Sequence, residues 1–256
     1  MGFIRERLSM SGRVAVVTGG GRNLGRGMAL GLADAGAAVV VAEIDEETGP
    51  AMERELREAG HEALWLRTNV RDSASIDALV AGTLERFGRI DVMVANAGGM
   101  FMAPALDISR NGFEAVLDLN LTGAWLCARS AAKAMIEAGH GGSIVTVSSM
   151  NAIDGALYGA HYGAAKAGIL GLTRSLAAEW AEHEIRVNAI APGGRRRLAG
   201  DEPGRGQLMG GGSPEYIENV AAAVVYLASD LSTWVTGHTL VVDDGGTSTH
   251  APPRGA

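Results

Sequence analysis

Cysteine is almost missing from this chain: Cys127 is the only one among 256 residues. No disulfide can form within the chain, and no metal site is expected. Lysine is nearly as scarce. The 22 basic residues are 20 Arg and two Lys, at positions 133 and 166, so a lysine here departs from the chain's habit. An excess of positive charge is lacking too. A net charge of −7 and a pI near 5.4 exclude the basic surface on which nucleic-acid binding depends. Long apolar runs are absent, none approaching the ~18 residues of a membrane helix. The opening "MGFIRERLSM" carries charges where a secretory leader needs an apolar stretch. A cytoplasmic protein with neither a nucleic-acid nor a membrane partner is the expectation.

What is present is a regular alternation. Apolar, β-branched runs at 13–19, 37–43, 62–69, 90–96, 143–149, 185–191 and 238–244 read as strands. They are nearly continuous in apolar residues, as strands buried on both faces of a parallel sheet must be. Helical patterns fill the gaps at about 23–35, 46–59, 73–87, 110–138, 159–182 and 215–229, with stops at Gly36, Gly60, Gly88 and Gly139. This order predicts an α/β fold, a doubly wound parallel sheet of about seven strands with helices on both faces. No linker or repeat interrupts it, so residues 1–256 form one domain with a core over about 11–247. The Gly-, Pro- and Arg-rich segment 192–214 reads as a long mobile loop, and the tail 248–256 as weakly ordered.

The first strand runs into "VTGGGRNLGRGMAL", residues 17–30. Glycines at 19, 20 and 21 permit a tight turn and close approach to a pyrophosphate, and the following helix offers unpaired N–H groups to it. Gly19, Arg22, Asn23, Leu24 and Gly25 are the expected contacts. Asn23 is expected to take a left-handed conformation or to cap the helix beginning at Leu24. Glu43 ends the second strand, where a carboxylate can accept hydrogen bonds from the adenosine ribose hydroxyls and repel a 2′-phosphate. With Ile44 beside it, this favours NAD over NADP. Arg22 argues the other way, since a guanidinium pairs well with phosphate. Asn69 and Val70 follow the third strand, where adenine would rest. Asn96, Ala97 and Gly98 follow the fourth, where small residues admit the cofactor.

"YGAAKAG" puts Tyr162 and Lys166 four residues apart on one face of a helix. Hydride transfer at an alcohol carbon needs a base for the hydroxyl proton, and a free Tyr of pKa ~10 is a poor one. An ammonium ~4 Å away favours the phenolate by about 4 kcal/mol at an effective dielectric of ~20. That would bring Tyr162 down by up to ~3 pH units before screening. Ser149, at the end of the fifth strand, can hold the substrate oxygen beside the phenol, with Ser148 as helper or spacer. Asn120 lies in mid-helix, where Asn is mildly unfavourable, and is expected to hold a water that links Lys166 to solvent.

Taken together, these residues resemble the short-chain dehydrogenases/reductases over about 11–247. The glycine turn at 18–25, Asn96-Ala97-Gly98, Asn120, Ser149, Tyr162, Lys166 and Pro192-Gly193 all fall in family order. The resemblance implies a single Rossmann-like domain, usually assembled as a tetramer, here a homotetramer. It also implies an Asn120-Ser149-Tyr162-Lys166 tetrad, with Tyr162 as acid/base, Ser149 orienting the substrate and Lys166 gripping the nicotinamide ribose. Pro192, Gly193 and Arg195 complete the cofactor set. The chain departs from the family at Asn23, where a glycine is usual, at Asn69 in place of an Asp, and at Ala95 in place of an Asn. Arg197 stands where a Thr commonly meets the carboxamide, and 194–214 is shorter than the usual flap.

For the substrate, Met100, Met102, Ser149, Met150, Asn151, Leu157, Tyr158 and Gly193 are the pocket residues expected. Mostly apolar and soft, they suit a hydrophobic ketone or secondary alcohol as the small-molecule partner. The arginines at 195–197 suit an acidic substrate, a carrier thioester's phosphates or the cofactor pyrophosphate. Three functions are open: an NAD-dependent alcohol/ketone oxidoreductase, an NADP-dependent 3-oxoacyl-thioester reductase, and a non-catalytic dinucleotide sensor.

Overall fold

The computed structural model describes residues 2–193 and 213–246. The loop expected over 192–214 lies, but for its ends, outside them, as do Arg195, Arg197 and the tail. The seven strands are β1 Val14–Thr18, β2 Ala38–Glu43, β3 Ala63–Arg67, β4 Val92–Ala95, β5 Gly142–Val147, β6 Ile185–Pro192 and β7 Thr239–Val242. Helices among the described residues are α1 Phe3–Leu8, α2 Asn23–Asp34, α3 Thr48–Glu58, α4 Ser73–Phe87, α5 Arg110–Leu117, α6 Gly123–Ala138, α7 Ala160–Glu179 and α8 Pro214–Ala228. None is long and apolar enough to cross a membrane.

The strands form one parallel sheet in the order β3-β2-β1-β4-β5-β6-β7. Its strand order reverses between β1 and β4, and a crevice opens there at the carboxyl ends, where ligands of such sheets bind. The apolar continuity has the expected cause. Val14 and Val16 of β1, with Val40 and Ala42 of β2, enter the core on one face. Ala15, Val17, Val39 and Val41 enter the core on the other. Period-two alternation between two dry faces requires an apolar residue at every position.

Two departures concern helices. The six-residue α1 has no buried residue and no periodic signal to announce it. The helix expected over 110–138 is helical throughout, but Asp118–Thr122 is a π-helical turn in which the Gly123 N–H reaches back to the Asp118 carbonyl. Asn120 supplies the reason. Its Nδ2 donates to the Val116 carbonyl at 2.9 Å, taking the acceptor that an α-helix would give to its own backbone. Such π turns often mark functional sites.

Candidate active site

Gly19 closes β1 with φ +62°, and a Cβ there would stand 3.1 Å from both the Ala97 Cα and the Asn96 Nδ2. At Gly25 a Cβ would fall 1.9 Å from the Gly19 carbonyl oxygen, so α2 can pack against the turn only through glycine. Asn23 takes φ +49°, the left-handed alternative expected of it. Arg22 occupies the N-cap position and gives no side-chain cap. The orphan N–H groups of the first turn of α2 therefore remain available to an anion. Asn96 ties this turn to the loop after β4, its Nδ2 donating to the Thr18 and Gly19 carbonyls at 2.8 and 3.1 Å. The Thr18 hydroxyl accepts from the N–H groups of Asn96 and Ala97, both at 3.0 Å.

Glu43 is buried at the end of β2. Its carboxylate accepts from Gly21 N at 3.2 Å, Ile44 N at 2.9 Å and Asp45 N at 3.2 Å. It therefore lies directly against the glycine turn, a position sequence spacing alone did not require. Ile44 is half exposed beside it. Arg22 acts on Asp45, whose carboxyl is held below its ordinary value first by the Thr48 and Glu47 backbone N–H groups and, to a lesser degree, by this guanidinium. Asn69 uses its Oδ1 to accept from Arg71 N, closing a turn after β3. Val70 turns its side chain into the core, where a Cβ on Gly123 of α6 would meet it at 3.0 Å.

The tetrad converges at the carboxyl ends of β4 and β5. Asn120 is fully buried; its Nδ2 donates to the Gly99 carbonyl at 2.7 Å and its Oδ1 accepts from Gly99 N at 3.3 Å. The side chain thus clamps the loop after β4, a task the expectation of a water relay did not include. A Cβ on Gly98 would stand 2.5 Å from Asn120 Oδ1 and 3.3 Å from Lys166 Nζ, so both side chains close on the space glycine leaves. The Ser149 side chain stands against the Tyr162 phenol and acts to lower its pKa. Lys166 Nζ donates to the Val147 carbonyl at 2.8 Å and lies 5.5 Å from the centre of the Tyr162 ring. The Ser148 hydroxyl donates to the Lys166 carbonyl at 2.8 Å, fastening α7 to the end of β5.

The electrostatics correct one expectation. Burial raises the Tyr162 phenol above its ordinary value, and the Ser149 side chain opposes this. Burial also lowers Lys166 from 10.5 to about 8. In this arrangement the ammonium faces the ring and a backbone carbonyl, so desolvation outweighs the attraction anticipated from a 4 Å pair.

On the substrate side, Met150, Asn151 and Ala152 form a 3-10 turn, with Asn151 N donating to Ser149 Oγ at 3.2 Å. Gly193 has room for no side chain: a Cβ would meet Asp243 Cβ at 2.6 Å and Met150 Sδ at 2.9 Å. The Met100 methyl reaches to within 2.8 Å of a Cβ on Gly159, and Tyr158 holds φ +58° while its carbonyl accepts from Ala103 N at 2.9 Å. Phe101, Met102, Leu106, Ile153 and Leu157 give the rim exposed apolar surface. Pro192 closes β6 beside this rim.

Five contributors lacked a readable signal. Thr18 acts on the loop after β4, and the Val147 carbonyl on Lys166 of α7, both through contacts across the fold. Tyr216 of α8 has its phenol pushed up to about 12, first by burial and then by the negative charge that Tyr162 and Asp243 bring near it. Tyr216 thus stands near both Tyr162 and Asp243, which come from α7 and from the residue after β7. His161 is the fifth. It is fully buried, its Nδ1 accepts from Tyr162 N at 2.9 Å, and its Nε2 has no hydrogen-bond partner among the described residues. An unsatisfied buried donor costs about 1–3 kcal/mol.

The doubly wound sheet, the glycine cradle at its switch point and the Ser-Tyr-Lys group together define a class, the dinucleotide-dependent oxidoreductases. Residues 19–247 match the family described as enoyl-(acyl carrier protein) reductase. The cis-4-hydroxycyclohexanecarboxylate dehydrogenase of Sinomonas cyclohexanicum is 41% identical over 92% of this chain and 97% of its own. The 2-dehydro-3-deoxy-D-gluconate 5-dehydrogenase of Escherichia coli K12 is 36% identical over 95% of this chain and 98% of its own. A solved short-chain type dehydrogenase/reductase from Mycobacterium marinum superposes with a TM-score of 0.87 at 31% identity, covering 98% of this chain and 100% of that one. The chain belongs to the short-chain dehydrogenase/reductase family, oxidoreductases that use nicotinamide dinucleotides.

Proposed function

We propose that the protein exchanges a hydride between NAD(H) and a secondary alcohol or ketone, with Tyr162 as general acid/base. The observation that carries this reading is the convergence of Ser149 on the Tyr162 phenol, with Lys166 buried against the same ring. The glycine turn suits a dinucleotide: Gly19, Gly25 and Gly98 pack against Ala97, Asn96, Asn120 and one another with no room for a Cβ, so bare backbone faces the crevice. Gly19 and Gly25, with the first N–H groups of α2, would hold the pyrophosphate, Glu43 the ribose, and Asn96, Ala97, Gly98, Pro192 and Gly193 the nicotinamide end. When bound, the dinucleotide supplies the hydride donor or acceptor. Ser149 holds the substrate oxygen. Tyr162, whose phenol stays protonated at neutral pH, gives its proton to that oxygen in reduction and recovers it in oxidation. Lys166, near pH 8 in its titration, offsets the cost of the phenolate and passes the proton onward.

Glu43 supports NAD. A 2′-phosphate brought against a buried carboxylate would be repelled and stripped of water. The family description and the exposed Arg22 support a second reading, an NADP-dependent 3-oxoacyl-thioester reductase. Its weakness is that Arg22 already has Asp45 within reach. The apolar rim, and a relative named for a hydroxycyclohexane carboxylate, support an apolar secondary alcohol as substrate. Assembly as a homotetramer and a cytoplasmic location belong to the same reading. The test is a panel of secondary alcohols and ketones run with each cofactor, read at the nicotinamide absorbance. We expect turnover with NADH at least about ten-fold more efficient than with NADPH, a difference of about 1.4 kcal/mol. A preference for NADPH would overturn the role given to Glu43.

A further inference from the structure

We propose that His161 is a positioning residue for Tyr162, an inference that rests on the acid/base role just given to that tyrosine. The helix α7 opens at Gly159, which has no side chain to cap it, and its first internal bond is Gly163 N to the Gly159 carbonyl at 2.8 Å. The N–H groups of Ala160, His161 and Tyr162 are therefore the orphans of the first turn. That turn carries the reacting phenol, and a turn left uncapped frays. The His161 Nδ1 accepts from Tyr162 N at 2.9 Å and so takes the place of the missing cap.

The ring is itself held from outside the helix. Phe101 packs edge-on against it, centroids 4.4 Å apart and planes at 84°. Phe101 lies two residues beyond Gly99, which Asn120 clamps through both its N–H and its carbonyl. The same loop begins at Asn96, bonded to the Thr18 and Gly19 carbonyls. A continuous set of contacts thus runs from the glycine turn along residues 96–101 to His161 and the backbone of Tyr162. With Nδ1 accepting, the neutral ring carries its proton on Nε2. That donor is fully buried without an acceptor among the described residues. The ring stands where Tyr162 and Phe101 require it, not where both its nitrogens would be satisfied, which is the pattern of a functional constraint rather than of a core histidine.

Three substitutions separate positioning from packing. His161→Phe keeps an aromatic ring against Phe101 and removes the acceptor. His161→Asn loses the ring but puts its Oδ1 where Nδ1 was. His161→Gln sets its polar atoms at the level of Nε2 instead. With the best alcohol and NAD, His161→Phe should lower kcat by about ten-fold, within the range that small misplacements cost. KM and cofactor affinity should move less than about two-fold, since binding groups are untouched. His161→Asn should restore kcat to within about three-fold of the parent while having the lower melting temperature of the two. A structural histidine predicts the opposite order, with activity following Tm and His161→Asn the worse enzyme. That order, or a kcat for His161→Phe within about two-fold of the parent, would overturn the proposal. Should His161→Phe not fold, the pair of His161→Asn active and His161→Gln impaired supports it, and equal rates refute it. Tyr162→Phe is the control: if it turns over normally, the acid/base reading has failed; if it is inactive while His161→Phe is normal, only the positioning role has.

Discussion

Lys166 is buried, and its ammonium makes one hydrogen bond among the described contacts, to the Val147 carbonyl. Its fall from 10.5 to about 8, at about 1.4 kcal/mol per pH unit, makes the charged side chain cost the folded state about 3 kcal/mol. The sign follows from proton counting. Between pH 8 and 10.5 the unfolded chain holds this proton and the folded chain has lost it. Stability from this group therefore rises with pH across that window, and the full cost is present below pH 8. Lys166→Met removes the titration. It also leaves the Val147 carbonyl unpaired, a loss of about 1–3 kcal/mol that does not change with pH. At pH 7 the two effects largely cancel, and the variant should lie within about 2 kcal/mol of the parent. Near pH 10.5 the parent should lead it by about 1–3 kcal/mol, the unpaired carbonyl alone remaining. The assay is urea denaturation followed by tryptophan fluorescence at steps from pH 7 to 10.5; groups common to both proteins drop out of the difference. Parallel stability curves over that range would refute the buried-ammonium argument.

Two further outcomes can be checked directly. Gly25→Ala drives a methyl into the Gly19 carbonyl, 1.9 Å away, so α2 must move off the turn; we expect a loss of about 1–3 kcal/mol in stability and a clear weakening of dinucleotide binding by calorimetry. Cys127 is fully buried and its thiol is pushed up to about 12 by burial, so a thiol reagent at pH 8 should label it only in denaturant; rapid labelling of the native protein would contradict its place in the core.

The turn, the clamp and the helix start show how the site's parts depend on one another. Asn120 is positioned by a π turn that it helps to create, and it holds the loop that limits the space beside Lys166. Asn23 is tolerated in place of glycine because the strained backbone falls on a single residue with φ +49° and no side-chain cap is demanded of it. The departure at Asn23 is thus absorbed locally, while Gly19, Gly25 and Gly98, where no side chain fits, are kept.

The sequence by itself determined the alternation of strands and helices, because burial on both faces of a parallel sheet writes an apolar residue at each strand position. It also singled out Asn120, Ser149, Tyr162 and Lys166 as the candidate set, two of them unusual for their places: a lysine in an arginine-using chain, an asparagine in mid-helix. These are local signals, of period, composition and spacing. Packing alone decided that Glu43 meets the backbone of Gly21, that Lys166 faces a ring and a carbonyl rather than a hydroxyl, and that Val70 turns inward. Only tertiary structure could bring Thr18 to Asn96, Tyr216 to Tyr162 and Asp243, and Phe101 to His161. Those pairs are distant in sequence or joined through backbone atoms that every residue shares, and a carbonyl or an N–H carries no signature until the fold gives it a partner.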